Sequence, residues 1–551
     1  MKLFHRNVLT PEEKKERRKE RLLLILSGIM MGISFPPFPF PFQLFMLAGL
    51  VPYLMVLEKR ERLVDLNRAS YLMGFVFSVI TLYWVGSWQK EADPFLMISG
   101  GLLMFVNPVF FMIPTTLLYF CRDIINRKTA IYLFPLFWVT YEYLYMLTDL
   151  SFPWLTLGSG LSHFYLFIQA ADIVGAVGLS LIVVFINIFI AKAFQSGKIS
   201  NRTFRINISI AAGILAVVLI YGTIRVSTFR ISDKKVKVGL IQPNLDPWEK
   251  WNEGNLDKLT ADYIKLSNQA VSKGAKVIFW PETSLPVYLL EGSFNSIIDS
   301  IYSFINKNNV YLITGMPDII YYRPGDRMPD DVKYSKPGNF YYATYNAILM
   351  FSPGTRQVIH YGKSKLVPFG ERVPFVDQLP FLGDLIKWGV GLTGWNVGKD
   401  TTVFNLPLDN RKDTLKIDGM VCYESIYLYF IPRFVEKGAD LISVVTNDSW
   451  YGNSSGPYQH KEMSVLRAVE NRKTVVRAAN GGISCIIDPL GRTLTESKMF
   501  TTDVITGDIF IQEGKTFFTT HSLIIPIISS VFSLWLFGFF ILKKLKVRLK
   551  L

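Results

Sequence analysis

Apolar residues are not spread evenly along this chain. They gather into long blocks toward both ends and into short runs in the middle. Seven blocks precede residue 230, at about 22–38, 41–57, 69–88, 95–121, 130–147, 166–194 and 206–226, and an eighth covers about 522–542. Most have the roughly 17–25 residues that a helix needs to cross the hydrocarbon of a bilayer. The first is the weakest, because Pro36, Pro37, Pro39 and Pro41 interrupt it. From Val236 the texture changes. VKVGLIQ (236–242), AKVIFW (275–280), VYLITG (310–315), AILMFS (347–352), LKIDGMVC (415–422) and DLISVV (440–445) read as strands buried on both faces. Segments such as Leu256 to Lys273 and Gly456 to Arg472 between them read as helices. Hairpin signals at Pro353-Gly354 and at Pro489-Leu490-Gly491 make the sheet mixed rather than purely parallel.

This pattern divides the 551 residues into three parts: a membrane domain of about seven helices over 1–230, an α/β domain over 231–518, and a last helix with a basic tail over 519–551. About eight spans are expected in all.

The formal net charge of +15 changes the picture only through where it sits. Lys14, Lys15, Arg17, Arg18, Lys19 and Arg21 precede the first block. Lys59, Arg60, Arg62 and Arg68 separate the second from the third, and Arg122, Arg127 and Lys128 the fourth from the fifth. Lys192, Lys198, Arg202 and Arg205 separate the sixth from the seventh, and Lys543, Lys544, Lys546, Arg548 and Lys550 follow the eighth. Alternate loops, such as Phe35 to Phe42 and Leu147 to His163, are poor in cations. The positive-inside rule then puts both termini in the cytoplasm and the α/β domain outside. No basic–aromatic patch accompanies the charge, so nucleic acid is not an expected partner. The aromatic stretch Ser151 to Ser162 reads as an interfacial belt, with a re-entrant loop as the alternative. Cys121, Cys422 and Cys485 are too few for a disulfide framework. The five histidines lack ligand spacing, so neither a metal nor another cofactor is expected.

Three strand ends carry reactive groups: Glu282 in FWPETSLP, Lys363 and Glu371 in HYGKSKLVPFGERVPF, and Cys422 with Tyr423 and Glu424 in GMVCYES. Taken singly, each has an ordinary reading, as a core thiol, a helix cap or a surface charge. Taken together they suit acyl transfer through a thioester. A thiol is a strong nucleophile once deprotonated, a carboxylate can take and return its proton, and an ammonium can hold an oxyanion.

The order WPET, then KxxLVPFGE, then a strand ending in CYE resembles the nitrilase (carbon–nitrogen hydrolase) superfamily. With membrane spans on both sides, the chain resembles its membrane-embedded branch, the apolipoprotein N-acyltransferases. The resemblance implies an αββα sandwich over 236–515. It also implies a catalytic set of Glu282 as general base, Lys363 as the catalytic lysine and Cys422 as nucleophile. Glu371 and Glu424 match supporting acids, Tyr423 the aromatic beside the nucleophile, and its backbone N–H an oxyanion donor. Trp251 matches a substrate-arm aromatic, with Trp248 as the alternative, and Trp450 in TNDSWYG lies on a loop around the pocket. The implied reaction takes an acyl chain from a membrane phospholipid, phosphatidylethanolamine being the expected donor. It passes the chain to the N-terminal amine of a diacylglyceryl-cysteine apolipoprotein, by a ping-pong course in the bacterial inner membrane. A monomer is expected. Two rivals are a membrane-tethered amidase or nitrile hydrolase, which uses the same three residues with water as the second nucleophile, and a binding or transport protein with an inactive nitrilase-like domain.

Overall fold

The computed structural model describes residues 10–549 except 91, 249, 251–255, 324, 380, 383–393 and 409–413. Among the described residues, six helices are long and apolar enough to cross a membrane: Phe42–Lys59, Leu63–Gly86, Pro94–Ile124, Ala171–Gln195, Arg202–Thr228 and Phe517–Leu545. These helices make the chain a multi-pass membrane protein, and the described residues hold six of them where about eight spans were expected. The first apolar block forms the second half of helix Pro11–Gly32, whose first half is PEEKKERRKER. That half starts at a capping box between Thr10 and Glu13, and its Glu20 pairs with Arg60. The fifth block is broken into Arg127–Ala130, Ile131–Leu133 and Phe134–Met146, and Glu142 with three tyrosines dilutes its apolar run.

Both segments still pack within the bundle. Helix Pro11–Gly32 lies against Leu63–Leu82 so closely that a Cβ on Gly28 would sit 2.7 Å from Val76 Cβ. Small residues permit this approach where lipid supplies no hydrophobic drive between helices. The stretch 151–162 is not an interfacial belt. Pro153–Leu155 and Leu157–Leu161 are short 3₁₀ turns buried between the bundle and the α/β domain. Tyr423 donates to Ser151 O at 2.7 Å from the domain side.

The α/β domain contains two mixed sheets of seven strands. The first is built from Lys235–Gln242 (β1), Val277–Trp280 (β2), Tyr311–Tyr322 (β3), Lys333–Ser335 (β4), Phe340–Phe351 (β5), Ile359–Gly362 (β6) and the late strand Asp503–Phe510 (β14). Its order is β14-β1-β2-β3-β5-β4, with β6 on β5. The second contains Val403–Pro407 (β7), Thr414–Asp418 (β8), Met420–Val421 (β9), Leu441–Thr446 (β10), Thr474–Ala479 (β11), Cys485–Ile487 (β12) and Thr493–Glu496 (β13). Its order is β13-β12-β11-β10-β8-β7, with β9 on β10. β1, β2 and β3 run parallel, and β14 closes the edge antiparallel.

The period-two geometry of a strand sorts β2 between two layers. Val277 and Phe279 pack inward between the sheets, whereas Ile278 and Trp280 pack outward with Tyr263, Ile297 and Ile301 of helices Leu256–Ser272 and Asn295–Asn308. Helix Ser455–Asn471 covers the second sheet. The layers follow the αββα order of a nitrilase-like sandwich. The inter-sheet core is continuous with the interior of the bundle, so one apolar cluster runs from Leu24 to Leu536.

A buried ion network also joins the two parts. Arg472 donates to Asp172 Oδ2 from Nε at 3.0 Å and from a terminal nitrogen at 2.8 Å. Arg225 donates to the same oxygen at 2.7 Å, and Tyr221 OH reaches Oδ1 at 2.6 Å. Removing one partner of a buried ionic set costs about 3–5 kcal/mol, because the remaining charge is stranded. Asp172→Ala is therefore expected to lower the melting temperature in detergent markedly. Asp172→Ala combined with Arg472→Met is expected to recover part of that loss.

Candidate active site

Each reactive side chain sits where a strand stops. β2 ends at Trp280, and the turn that follows is bound to β3 by Ser284 N donating to Gly315 O at 2.7 Å and Gly315 N donating to Pro281 O at 3.2 Å. A Cβ on Gly315 would lie 2.6 Å from Glu282 Cα, so glycine is required for this approach. β6 ends at Gly362, and Lys363 N donates to Asn346 O at 2.8 Å. β9 ends at Val421, and the next residue is Cys422 with φ of 50°. A left-handed backbone costs a residue with a Cβ roughly 1–2 kcal/mol. The turn is therefore held by its neighbours. Ser425 Oγ donates to Cys422 O at 2.8 Å, and Val421 N donates to Glu424 Oε2 at 2.8 Å.

Lys363 is wholly buried, with Nζ 2.8 Å from Glu371 Oε1 and 3.5 Å from Glu282 Oε1. Asn346 Nδ2 ties the two carboxylates together, at 2.8 Å from Glu282 Oε1 and 2.9 Å from Glu371 Oε1. Val367 N satisfies Glu371 Oε2 at 2.8 Å. Burial alone would lower the lysine's pKa, but Glu371 and then Glu282 outweigh it and hold the ammonium above its ordinary range. Burial pushes the Cys422 thiol up, as does the nearby Glu282, against a weaker pull from Lys363. The resting sulfur is thus a thiol that needs a base.

Glu424 lies beneath the site. Its Oε1 accepts from Tyr361 OH at 2.7 Å, Ser364 N at 2.6 Å and Lys365 N at 3.1 Å, while Oε2 takes Val421 N. One carboxylate thereby clamps the lysine strand end to the cysteine strand end. Burial raises it to about 7, against the opposing hydrogen bonds.

The sequence-predicted residues separate into two groups. Glu282, Lys363, Glu371, Cys422 and Trp450 line one cavity of about 560 Å³, and so does Trp248, which meets Trp450 edge to face at 4.8 Å. Glu424 and Tyr423 are packed behind it, with Tyr423 stacked on Phe152. Trp251 lies outside the described residues. The opposite wall is apolar and comes from helix Pro94–Phe110, through Phe95, Leu96, Leu102 and Val106, together with Phe152.

Four residues of the neighbourhood were not singled out in the sequence. Asn346 is a polar position inside the apolar strand β5, which is its one sequence signal. Lys250 Nζ donates to Glu282 O and Thr283 Oγ1, each at 3.2 Å, and burial lowers it to about 7 against the pull of Glu282. Asp448 and His460 have ligand atoms that lie with Cys422 Sγ within 4.8 Å of one another. These three could in principle hold a cation. Arg477, however, already occupies Asp448 Oδ2 and approaches His460 Nδ1 at 3.0 Å, so a metal would have to displace a buried guanidinium.

Comparison with known proteins fits this geometry. Residues 237–516 match the carbon–nitrogen hydrolase family, and residues 27–189 match the apolipoprotein N-acyltransferase N-terminal domain. Apolipoprotein N-acyltransferase of Chlorobaculum tepidum is 31% identical over 92% of this chain and 94% of its own. That of Rickettsia typhi is 31% identical over 89% and 92%, and that of Geobacter metallireducens 29% identical over 94% and 94%. The two matches adjoin as the bundle and the sandwich do, and the chain belongs to the apolipoprotein N-acyltransferase family of enzymes.

Proposed function

We propose that this enzyme acylates the N-terminal amine of diacylglyceryl-cysteine apolipoproteins, with membrane phospholipid as acyl donor and a thioester on Cys422 as intermediate. One observation carries the reading. Glu282, Lys363 and Cys422 line a cavity whose other wall is an apolar membrane helix. An acyl chain can lie along Pro94–Phe110 with its ester at the thiol and stay out of water throughout.

The chemistry balances in two halves. Glu282 takes the thiol proton, and Sγ attacks the ester carbonyl. Lys363 Nζ and the N–H of Tyr423 hold the oxyanion. The tetrahedral adduct collapses, its C–O bond breaks, and Glu282 returns the proton to the departing lysophospholipid oxygen. The neutral amine of the acceptor then attacks the thioester, and Glu282 takes a proton from nitrogen. The C–S bond breaks, and the sulfur recovers that proton as the amide leaves. Glu371 and Asn346 keep Lys363 and Glu282 in register, and Glu424 fixes both strand ends. Water kept out of the cavity favours the amine over hydrolysis.

The domain partition at 1–230, 231–518 and 519–551 belongs to the same proposal, as does an orientation with cytoplasmic termini and an extracytoplasmic sandwich. The basic loops support this orientation.

Incubation with phospholipid alone is expected to leave a hydroxylamine-labile acyl group on Cys422 by peptide mass spectrometry, absent in Glu282→Gln and discharged by a diacylated lipopeptide. Free fatty acid from the wild type, with no adduct and no lipopeptide product, would make it a hydrolase. Lys363→Met removes the cation that neutralises two carboxylates and holds the oxyanion. It is expected to slow acylation by about 10²–10³-fold, as loss of one oxyanion donor does. The two halves should also separate by pH. An α-amine titrates near ~7.7–8.0 and attacks only when neutral, so discharge should fall about tenfold per unit below that range. Acylation has no amine and should not follow that slope. Identical profiles for the two half-reactions would contradict this order of proton transfers.

A further inference from the structure

The second turn of helix Ser455–Asn471 carries two adjacent residues with opposite attachments. Gln459 faces the bundle. Its Nε2 donates to Pro36 O at 2.9 Å and to Thr81 O at 3.2 Å, while its Oε1 accepts from Trp154 Nε1 at 2.7 Å and from Trp84 Nε1 at 3.2 Å. An amide has two N–H groups and two lone-pair sites, and all four are used. The fit is close: a Cβ on Gly456 would lie 2.5 Å from the Trp84 ring.

His460 faces the nucleophile. Its Nε2 is 3.1 Å from Cys422 O and 2.9 Å from Ser425 Oγ. Ser425 spends its own hydrogen on Cys422 O, so its lone pair is open to a donor. Cys422 O can only accept, so Nε2 carries a proton, while Nδ1 faces Asp448 Oδ1 at 2.9 Å and Arg477 at 3.0 Å. Burial, then Arg477, keep the imidazole easily deprotonated, with Asp448 opposing. The ring also packs on Trp154, at 5.6 Å between centroids, so Trp154 touches both residues of the pair.

A trans peptide is planar, with its C=O and N–H pointing in opposite directions. Cys422 O is held on the side of His460 and Ser425, neither of which lines the cavity. The N–H of Tyr423, at the other end of the same plane, is then aimed away from them. We propose that His460 is a positioning residue that fixes the Cys422–Tyr423 peptide plane, and so aims the Tyr423 N–H at the oxyanion, and that Gln459 makes this depend on how the sandwich is seated on the bundle. The inference rests on the acyl-transfer reading above and adds residues which that reading does not use.

The test compares two reactions of one sulfur in the full-length protein, both read on the Cys422 peptide by mass spectrometry. Acylation by phospholipid develops an oxyanion, whereas alkylation by iodoacetamide does not. His460→Leu is expected to lower the acylation rate about 100-fold, the scale of one oxyanion donor. It should change alkylation less than about threefold, because thiol access and basicity are retained. His460→Gln keeps an N–H donor and is expected to return acylation to within about tenfold of wild type. Gln459→Ala should lower the ratio of acylation to alkylation in the same direction as His460→Leu. Parallel loss of both reactions in His460→Leu and His460→Gln, or full acylation by His460→Leu, would overturn the positioning role. Wild type that alkylates yet never acylates would bring down the acyl-transfer reading itself, and this inference with it.

Discussion

The architecture depends on one unfavourable placement, a polar helix in the interior. Helix Ser455–Asn471 carries Gln459, His460, Glu462, Arg467, Glu470 and Asn471, all buried between the second sheet and the bundle. Each such group must find a partner or cost the fold its desolvation. The partners come from both sides. Arg467 pairs with Glu470 at 2.8 Å, and Glu470 Oε1 also takes Ala176 N at 2.9 Å. That N–H is free because Gly175, at φ 65° and ψ 175°, breaks helix Ala171–Gln195 just before it. The kink in a membrane helix and the carboxylate of a sandwich helix thus satisfy each other. Neither half of the protein completes its own hydrogen bonding, so the two behave as one structure rather than as a soluble domain on a tether.

The site shows the same economy around charge. Glu282, Glu371 and Glu424 share a buried region with Lys363, and the charges are divided in a definite way. Lys363 is shared by Glu371 and Glu282, which Asn346 bridges, and Glu424 is given four donors out of reach of the lysine amine. This fixes the positions of the Glu282 carboxylate and the Lys363 ammonium before any ligand arrives. Such preorganisation, rather than an unusual functional group, is what such a site contributes to rate. The strain at Cys422 belongs to the same arrangement, since a left-handed residue with a Cβ persists only where its surroundings over-determine it.

Much of this was legible in the sequence, for identifiable reasons. Buried strands and membrane helices are long apolar runs, and the reactive groups follow immediately after strands, so WPE, KxxLVPFGE and CYE stand out. The span count was overestimated because a run of apolar residues does not show whether its flanks dilute it. Helix Pro11–Gly32 is half basic, and 134–146 is rich in tyrosine and holds Glu142. The burial of 151–162 could not be read, because its cover, Tyr423 and Tyr427, lies some 270 residues away, as the 2.5 Å contact from Ser151 Oγ to Tyr427 OH shows. Asn346, Asp448 and His460 were missed for a related reason. Asn346 is one polar residue in an apolar strand, Asp448 and His460 stand among other polar residues, and the meaning of each lies in what it faces across the fold.

The cavity has one wall that is also part of the outer surface of the bundle. Helix Pro94–Phe110 lines it, and the same helix leaves Phe105 and Val109 exposed on the outer surface of the bundle. On the acyl-transfer reading proposed above, the acyl donor arrives by lateral diffusion, already dissolved in two dimensions. The variable that sets occupancy is then the mole fraction of that lipid in the film around the protein, not its amount per litre. Diluting a bilayer or micelle with inert amphiphile starves the site at constant bulk concentration. Saturation curves for this protein therefore take their natural units from the surface.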